Sequence, residues 1–241
     1  IVLSMPIKQK SHQHDLSLKH QEWLVKNFKN VEAHTINLDE LFLAFSSSLS
    51  NFDNEHGMAN SRARLRMTTL YQVAAANKGI VVGTGNKVED FGVGFYTKYG
   101  DGGVDISPIA DLYKSDVYRI ARELELDLDI QDAEPSDGLH ADARTDKDQL
   151  GYDYPTLERV MKMNERGEYP TDNLKEAYNK YCYWNTKNKH KMEPIPVYRV
   201  SNDYRIKYEI HNKCGTENCC RNDPTVDKEV YVTEEDGDVG C

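Results

Sequence analysis

The stretch from Met58 to Gly83 most tightly constrains what this chain can fold into. Between Met58 and Ala76, the residues Ala63, Met67, Leu70, Tyr71 and Ala74 fall on one side at helical spacing. That run leads straight into Gly79-Ile80-Val81-Val82-Gly83, a short apolar stretch closed at both ends by glycine. Helix, tight turn and buried strand in that order form half of a parallel α/β repeat. The flanking sequence keeps the rhythm. Val2-Leu3-Ser4-Met5, stopped by Pro6, reads as a strand, Asp15 to Phe28 as a helix, Val31 to Ile36 as a second strand and Asp39 to Phe45 as a short helix. Tyr113 to Leu124 repeats the helical pattern with Val117, Ile120, Ala121 and Leu124. Strands alternating with helices imply a parallel sheet covered on both faces, so the expected architecture is a three-layer α/β/α fold with a parallel sheet. Beyond Pro135, residues 137–149 are polar and read as a long functional loop, with helices expected near 153–163 and 171–185.

A length of 241 residues suits one large domain with a substantial core. The formal charge of −10 argues against a general affinity for nucleic-acid backbones, which requires a concentrated positive field. No stretch approaches the roughly 20 apolar residues needed to cross a bilayer, and the first residues lack the basic start of a secretory signal. A cytoplasmic protein is therefore expected, with no membrane partner. The five cysteines do not make a disulfide framework in a chain of this length. Among Cys214, Cys219, Cys220 and Cys241, only Cys214 and Cys219 approach the paired spacing of a zinc site, so free thiols are the plainer reading. Residues 200–241, rich in Asp, Glu and Asn, read as an irregular acidic tail.

Chemistry concentrates just past the apolar run, in Gly83-Thr84-Gly85-Asn86-Lys87-Val88-Glu89-Asp90. Ligands of open parallel sheets bind beyond the carboxyl ends of strands. Glycines there allow close approach of the backbone, Thr84 offers a hydroxyl, and Glu89 or Asp90 offers oxygen to Mg²⁺. An ordinary strand-to-helix turn with a capping acid accounts for the same residues. Phe95 to Asp105 gathers aromatics, glycines, Lys98 and two aspartates, a mixture that suits a ribose or planar ring; a hairpin with packing aromatics fits it too. Arg62, Arg64 and Arg66 lie two apart on a helix, so Arg64 points about 200° from its neighbours. If Arg62 and Arg66 are solvated, Arg64 faces inward or into a cleft, where it needs an anionic partner. His190-Lys191, by itself, reads as part of a solvated charge run.

Taken together these segments resemble the NAD synthetase family. The resemblance is carried by Asn60 to Met67, Gly83 to Glu89, Thr97-Lys98-Tyr99-Gly100-Asp101-Gly102-Gly103-Val104-Asp105-Ile106-Ser107-Pro108 and Leu112-Tyr113-Lys114, in family order, and it extends from about residue 1 to residue 199. It implies an adenine-nucleotide-hydrolase-like, Rossmann-like domain over 1–199, followed by a tail of unknown role over 200–241. It also implies a homodimer and an ATP-consuming ligase that adenylates the carboxylate of deamido-NAD, then lets ammonia displace AMP. Thr84, Lys114 and Ser136 resemble the ATP contacts, with Lys114 the phosphate ligand that aids catalysis. Glu89 resembles the Mg²⁺ ligand, although one residue more than the family spacing separates it from Lys98, so Asp90 shares that expectation. Arg64, Lys98, Asp105, His190 and Lys191 resemble the deamido-NAD contacts.

The sequence departs from the family in one respect. Members carry a Ser-Gly-Gly-x-Asp-Ser loop after the first strand, whose amides cradle pyrophosphate, and this chain has no Gly-Gly pair before Gly102. An omitted N-terminal segment of roughly a few dozen residues is the expected explanation; loss of the loop would instead leave a nucleotide-binding regulatory protein. Another ATP pyrophosphatase of the same fold is the third reading. The chain contains no glutaminase domain, so ammonia is the expected nitrogen donor.

Overall fold

The computed structural model describes residues 1–139, 142 and 144–200. One compact unit spans Ile1–Glu193. A second spans Pro194–Cys241, and its described residues 194–200 form neither helix nor strand. Cys214, Cys219, Cys220 and Cys241, weighed above as zinc ligands, lie outside the described residues, as does the acidic tail from 201 onward. Cys182 is a buried free thiol.

Strand β1 (Val2–Ser4) pairs in parallel with strand β2 (Ala33–Thr35), with Val2 opposite Ala33, Leu3 opposite His34 and Ser4 opposite Thr35. Helix α1 (Ser11–Asn27) makes the crossover that a parallel pair requires. Helix α2 (Asp39–Ser48) follows, and its Phe42 joins Ile7 and Leu38 in a small buried cluster. Helix α3 (Glu55–Ala76) starts a turn earlier than the apolar spacing suggests because Asn54 caps it, its side chain accepting from the Gly57 amide at 2.8 Å. After α3 the chain makes a second parallel contact, a bridge between Val82 and Ile106, with the Gly83 amide donating to Ile106 O at 2.7 Å. The expected buried strand at 79–83 is instead reduced to that single bridge, and the segment is only half-buried. Val81 is 3% exposed, whereas Ile80 and Val82 are 59% and 52% exposed. Side chains alternate along extended backbone, and only the Val81 face is covered.

The second half supplies the larger core. Helices α4 (Lys114–Glu123), α5 (Leu128–Gln131), α6 (Asp146–Leu150), α7 (Tyr154–Glu165) and α8 (Lys175–Met192) follow a π-helical turn over Val88–Val93. Helix α7 is capped by Asp153, whose side chain accepts from Thr156 N, and Pro155 suits the first turn, where its missing amide leaves nothing unpaired. Its Tyr154, Leu157, Glu158 and Met161 recur at helical spacing and are buried. Leu157 and Val160 are fully buried among Val88, Val93, Leu150 and the α8 residues Ala177 and Tyr181. Burial of each such side chain stabilises the fold by about 1.5–3 kcal/mol.

Two expectations need correction here. The segment 137–149 is not loop throughout: the Thr145 hydroxyl and the Asp148 carboxylate cap one another's backbone and start α6 at Asp146. Nor is Gly100–Gly103 a hairpin. The Gly100 amide donates to Thr97 O and the Gly103 amide to Gly100 O, giving consecutive tight turns without flanking antiparallel strands among the described residues.

Candidate active site

The turn that leaves the 80–83 segment is organised by Asn86. Its side chain is 2% exposed, and its oxygen accepts from the amides of Val88 and Glu89 at 3.0 and 3.2 Å. This launches the π-helical turn that carries Glu89 and Asp90. A π turn holds an extra residue relative to α-helix. The turn closes at Gly94, whose φ of 61° is the left-handed conformation glycine adopts without penalty. Its terminal carbonyls need donors from elsewhere, and α8 supplies them. Asn185 Nδ2 donates to Gly92 O and Asn188 Nδ2 to Val93 O, each at 2.8 Å. Lys191 Nζ donates to Gly94 O at 2.8 Å and Tyr96 O at 2.9 Å. These bonds fix the end of α8, and with it His190 and Lys191.

Glu89 and Lys114 meet directly. Lys114, the first residue of α4, places Nζ 2.8 Å from Glu89 Oε1 and 4.9 Å from the centre of the Tyr154 ring. The single Tyr154 hydroxyl proton lies between two carboxylates, Glu89 Oε1 at 2.9 Å and Asp146 Oδ2 at 2.6 Å. Burial, then the two carboxylates, push the Tyr154 phenol well above its ordinary range. Burial likewise raises the Asp146 carboxyl, opposed by the Tyr154 hydrogen bond. Asp146 Oδ1 is buried and has no hydrogen-bond partner. Ser136 adjoins this cluster through Pro135, whose carbonyl accepts from the Asp146 amide at 2.9 Å. The start of α4 is held by a further carboxylate, Glu158 of α7, which accepts from Ser115 N at 2.8 Å and Ser115 Oγ at 2.7 Å.

A cleft of about 170 Å³ opens on the other side of the same turn, lined by Gly83, Gly85, Asp90, Tyr96, Asp101 and Lys191, among others. Burial, then the Glu89 and Asp101 carboxylates, raise Asp90 to about 7. Asp101 is also raised by burial, against the opposing hydrogen bond from the Thr97 amide, and Lys191 is lowered by burial. Tyr96 is pushed up to about 12 by burial and the two aspartates. Lys98 lies near this cleft, its Nζ donating to His190 O at 2.6 Å, and Arg64 Nε donates to Lys98 O at 3.3 Å. Asp105 accepts from the Val81 amide at 2.7 Å and the Tyr71 hydroxyl at 3.1 Å, tying α3 to the 80–83 segment.

The residues singled out from sequence therefore fall into two neighbouring groups. Glu89 and Lys114 touch, whereas Ser136 is joined to them only through Pro135, Asp146 and Tyr154, and Asp105 stands apart on Val81 and Tyr71. Arg64, Lys98 and His190 form a second set, and Lys191 lines the cleft, as do the glycines on either side of the exposed Thr84. Ser136 itself lines a separate cavity of about 390 Å³ with His12, Asp132 and Thr145. The expected orientation of the arginines is reversed. Arg64 is exposed, whereas Arg66 donates to Met5 O at 2.9 Å and Arg62 donates to Leu139 O. The α3 face that meets the N-terminal segment is the one bearing Arg62 and Arg66. Sequence reasoning did not single out Tyr154, Asp146 or Glu158, and counted Asp101 only within the 95–105 cluster. The Thr145-x-x-Asp148 capping spacing and the Asp153-Tyr154-Pro155 helix start would have located the first two on ordered elements.

The α/β core, with glycines, carboxylates and a helix-start lysine gathered beyond a parallel strand segment, is that of a Rossmann-like protein of the adenine nucleotide hydrolase type. The NAD synthase family profile matches residues 1–195, and the chain belongs to that family. It is 35% identical over 178 residues to an NH3-dependent NAD+ synthetase of Carboxydothermus hydrogenoformans, covering 72% of this chain and 70% of that one. It is 39% identical over 143 residues to the Thermoplasma volcanium enzyme of the same description, where the shares are 59% and 58%. Among solved structures, an NMN synthetase from Francisella tularensis superposes with a TM-score of 0.71 at 30% identity, covering 82% of this chain and 78% of that one.

Proposed function

We propose that the protein is an ATP-dependent carbon–nitrogen ligase that makes NAD from deamido-NAD and ammonia. The observation that carries the reading is the contact between Glu89 and Lys114 beyond the Val82–Ile106 bridge, inside a domain matched by the family from residue 1 to 195. A carboxylate is a poor electrophile, so the ring carboxylate of deamido-NAD first attacks the α-phosphorus of ATP and pyrophosphate leaves. Ammonia then attacks the carbonyl carbon of the acyl adenylate, and AMP departs with the C–O bond electrons. No covalent bond to the protein is required. Lys114 holds ATP phosphate oxygens, with Thr84 and Ser136 as further ATP contacts. Arg64, Lys98, Asp105, His190 and Lys191 hold deamido-NAD; the proximity of Arg64, Lys98 and the end of α8 supports their acting as one set.

Mg²⁺ fits this site as a guest of the nucleotide. No group of three or more His, Cys, Asp or Glu side chains among the described residues is arranged to hold a metal ion. Mg²⁺ with nucleotides commonly takes only one or two carboxylates, keeping water and phosphate oxygens as its other ligands. Glu89, and Asp146 with its unpartnered buried oxygen, offer that kind of donor set. Glu89 is favoured over Asp90 because it faces Lys114 while Asp90 lines the other cleft. When bound, the ion neutralises charge on the phosphates. The homodimer rests on the family resemblance alone.

The likeness to an NMN synthetase favours one second reading, the same amidation performed on the acid form of the mononucleotide. Incubation with ATP, Mg²⁺, ammonium and either deamido-NAD or nicotinic acid mononucleotide tests both. NAD and AMP in equal amounts are expected with deamido-NAD. Product from the mononucleotide alone would transfer the assignment to the second reading, and release of ADP would refute both.

A further inference from the structure

Glu89 and Lys114 neutralise each other before any ligand is bound. Their side chains are only 18% and 20% exposed, and their charged atoms are 2.8 Å apart. Glu89 Oε1 also lies 2.9 Å from the Tyr154 hydroxyl, whose one proton it shares with Asp146. A divalent cation that takes Glu89, even through Oε2, sets its charge against the Lys114 ammonium in a place poorly reached by water, with burial-raised Asp146 the other carboxylate acting on that ammonium. A polyphosphate that takes Lys114 likewise sets its charge against Glu89. Removing one member of such a pair is costly because the remaining charge is stranded. A ligand bringing both charges at once strands neither. Its metal meets the carboxylate, its phosphate meets the ammonium, and one ion pair is exchanged for two.

We propose that the Glu89–Lys114 pair makes divalent-cation binding and polyphosphate binding mutually dependent, so that the site takes the metal–nucleotide chelate and discriminates against either component alone. The inference rests on the assignment of Glu89 to the metal and Lys114 to phosphate. Binding couplings are reciprocal, so the same strengthening must be seen from both sides. Lys87 provides a charge control close in sequence. Its ammonium lies 3.2 Å from Glu165 and 3.5 Å from Asp111 and is not engaged by Glu89.

The test measures binding, not turnover, on the full chain. Free Mn²⁺ is titrated by electron paramagnetic resonance without nucleotide, and sodium tripolyphosphate is titrated by calorimetry without metal. Lys114→Met should raise Mn²⁺ affinity about tenfold, and Glu89→Gln should raise metal-free tripolyphosphate affinity by a similar factor, within the usual range of coupling between sites. Lys87→Met should change Mn²⁺ affinity less than about twofold, since a charge paired elsewhere is largely screened. Unchanged Mn²⁺ affinity in a Lys114→Met protein that melts like the parent would overturn the inference. So would an equal gain in Lys87→Met. If Lys114→Met does not fold, Glu89→Gln decides by the tripolyphosphate arm. NAD formation without this coupling would remove only the inference; the coupling without NAD formation would remove only the assigned reaction.

Discussion

Asp90 should make the protein less stable as pH rises, and its replacement by Asn should remove that loss. Its carboxylate sits over Gly85, where a Cβ would collide with it, and shares the cleft with Asp101. Burial, then Glu89 and Asp101, raise its pKa from 3.8 to about 7. Because the folded value lies above the unfolded one, the folded chain holds the proton more tightly, and stability falls as pH rises between those values. At about 1.4 kcal/mol per decade the full difference is about 4 kcal/mol. The group is partly open to water, and screening reduces this to about 2 kcal/mol. Asp90→Asn should therefore match the parent near pH 4 and exceed it by about 2 kcal/mol above pH 7.5, a Tm difference of roughly 4–8 °C for a unit of this size. Melting curves by circular dichroism between pH 4 and 8.5, without divalent cations, measure it. Curves for the two proteins that stay parallel across that range would refute the reasoning.

Three further outcomes follow from the packing. Leu157→Ala empties a fully buried position between α7 and α8 and should cost about 3–5 kcal/mol in urea unfolding. Gly94→Ala combines a left-handed φ of 61° with a Cβ only 2.5 Å from Asn188 Cβ and should cost about 3 kcal/mol. It should also loosen the α8 end, measurable as faster amide exchange at residues 188–192. Glu158→Ala leaves the Ser115 amide and hydroxyl without their acceptor and should cost about 2 kcal/mol. Glu158→Gln should cost about half as much, and both variants should weaken ATP binding by freeing the residue next to Lys114.

Helices α3, α4 and α7 were legible from apolar residues at helical spacing, whereas the helix expected over 171–185 runs Lys175–Met192 and takes in His190 and Lys191, which read as a solvated charge run. At 79–83 the expected buried strand is only a single bridge at Val82, since a run such as Ile80-Val81-Val82 does not reveal how many partners it will find or which faces will be covered. The arginine reversal has a similar origin. Spacing separates Arg64 from Arg62 and Arg66 but cannot say which side of α3 meets the N-terminal segment. Glu89 and Lys114 were singled out through motif order, whereas Tyr154 and Glu158 bond to residues 65 and 43 positions away. Such pairings exist only once α7 has docked, and no local pattern announces them. The widened turn at Val88–Val93 was not read from the sequence.

That wide turn also governs how this chain should be lined up with its kin. A six-residue π-helix bounded by a glycine can take in or shed one residue while Lys98 and Lys114, both further along the chain, keep their stations. Where a relative differs in length here, the gap belongs within residues 88–93. A gap drawn later would mispair the positions that lie between the turn and the gap.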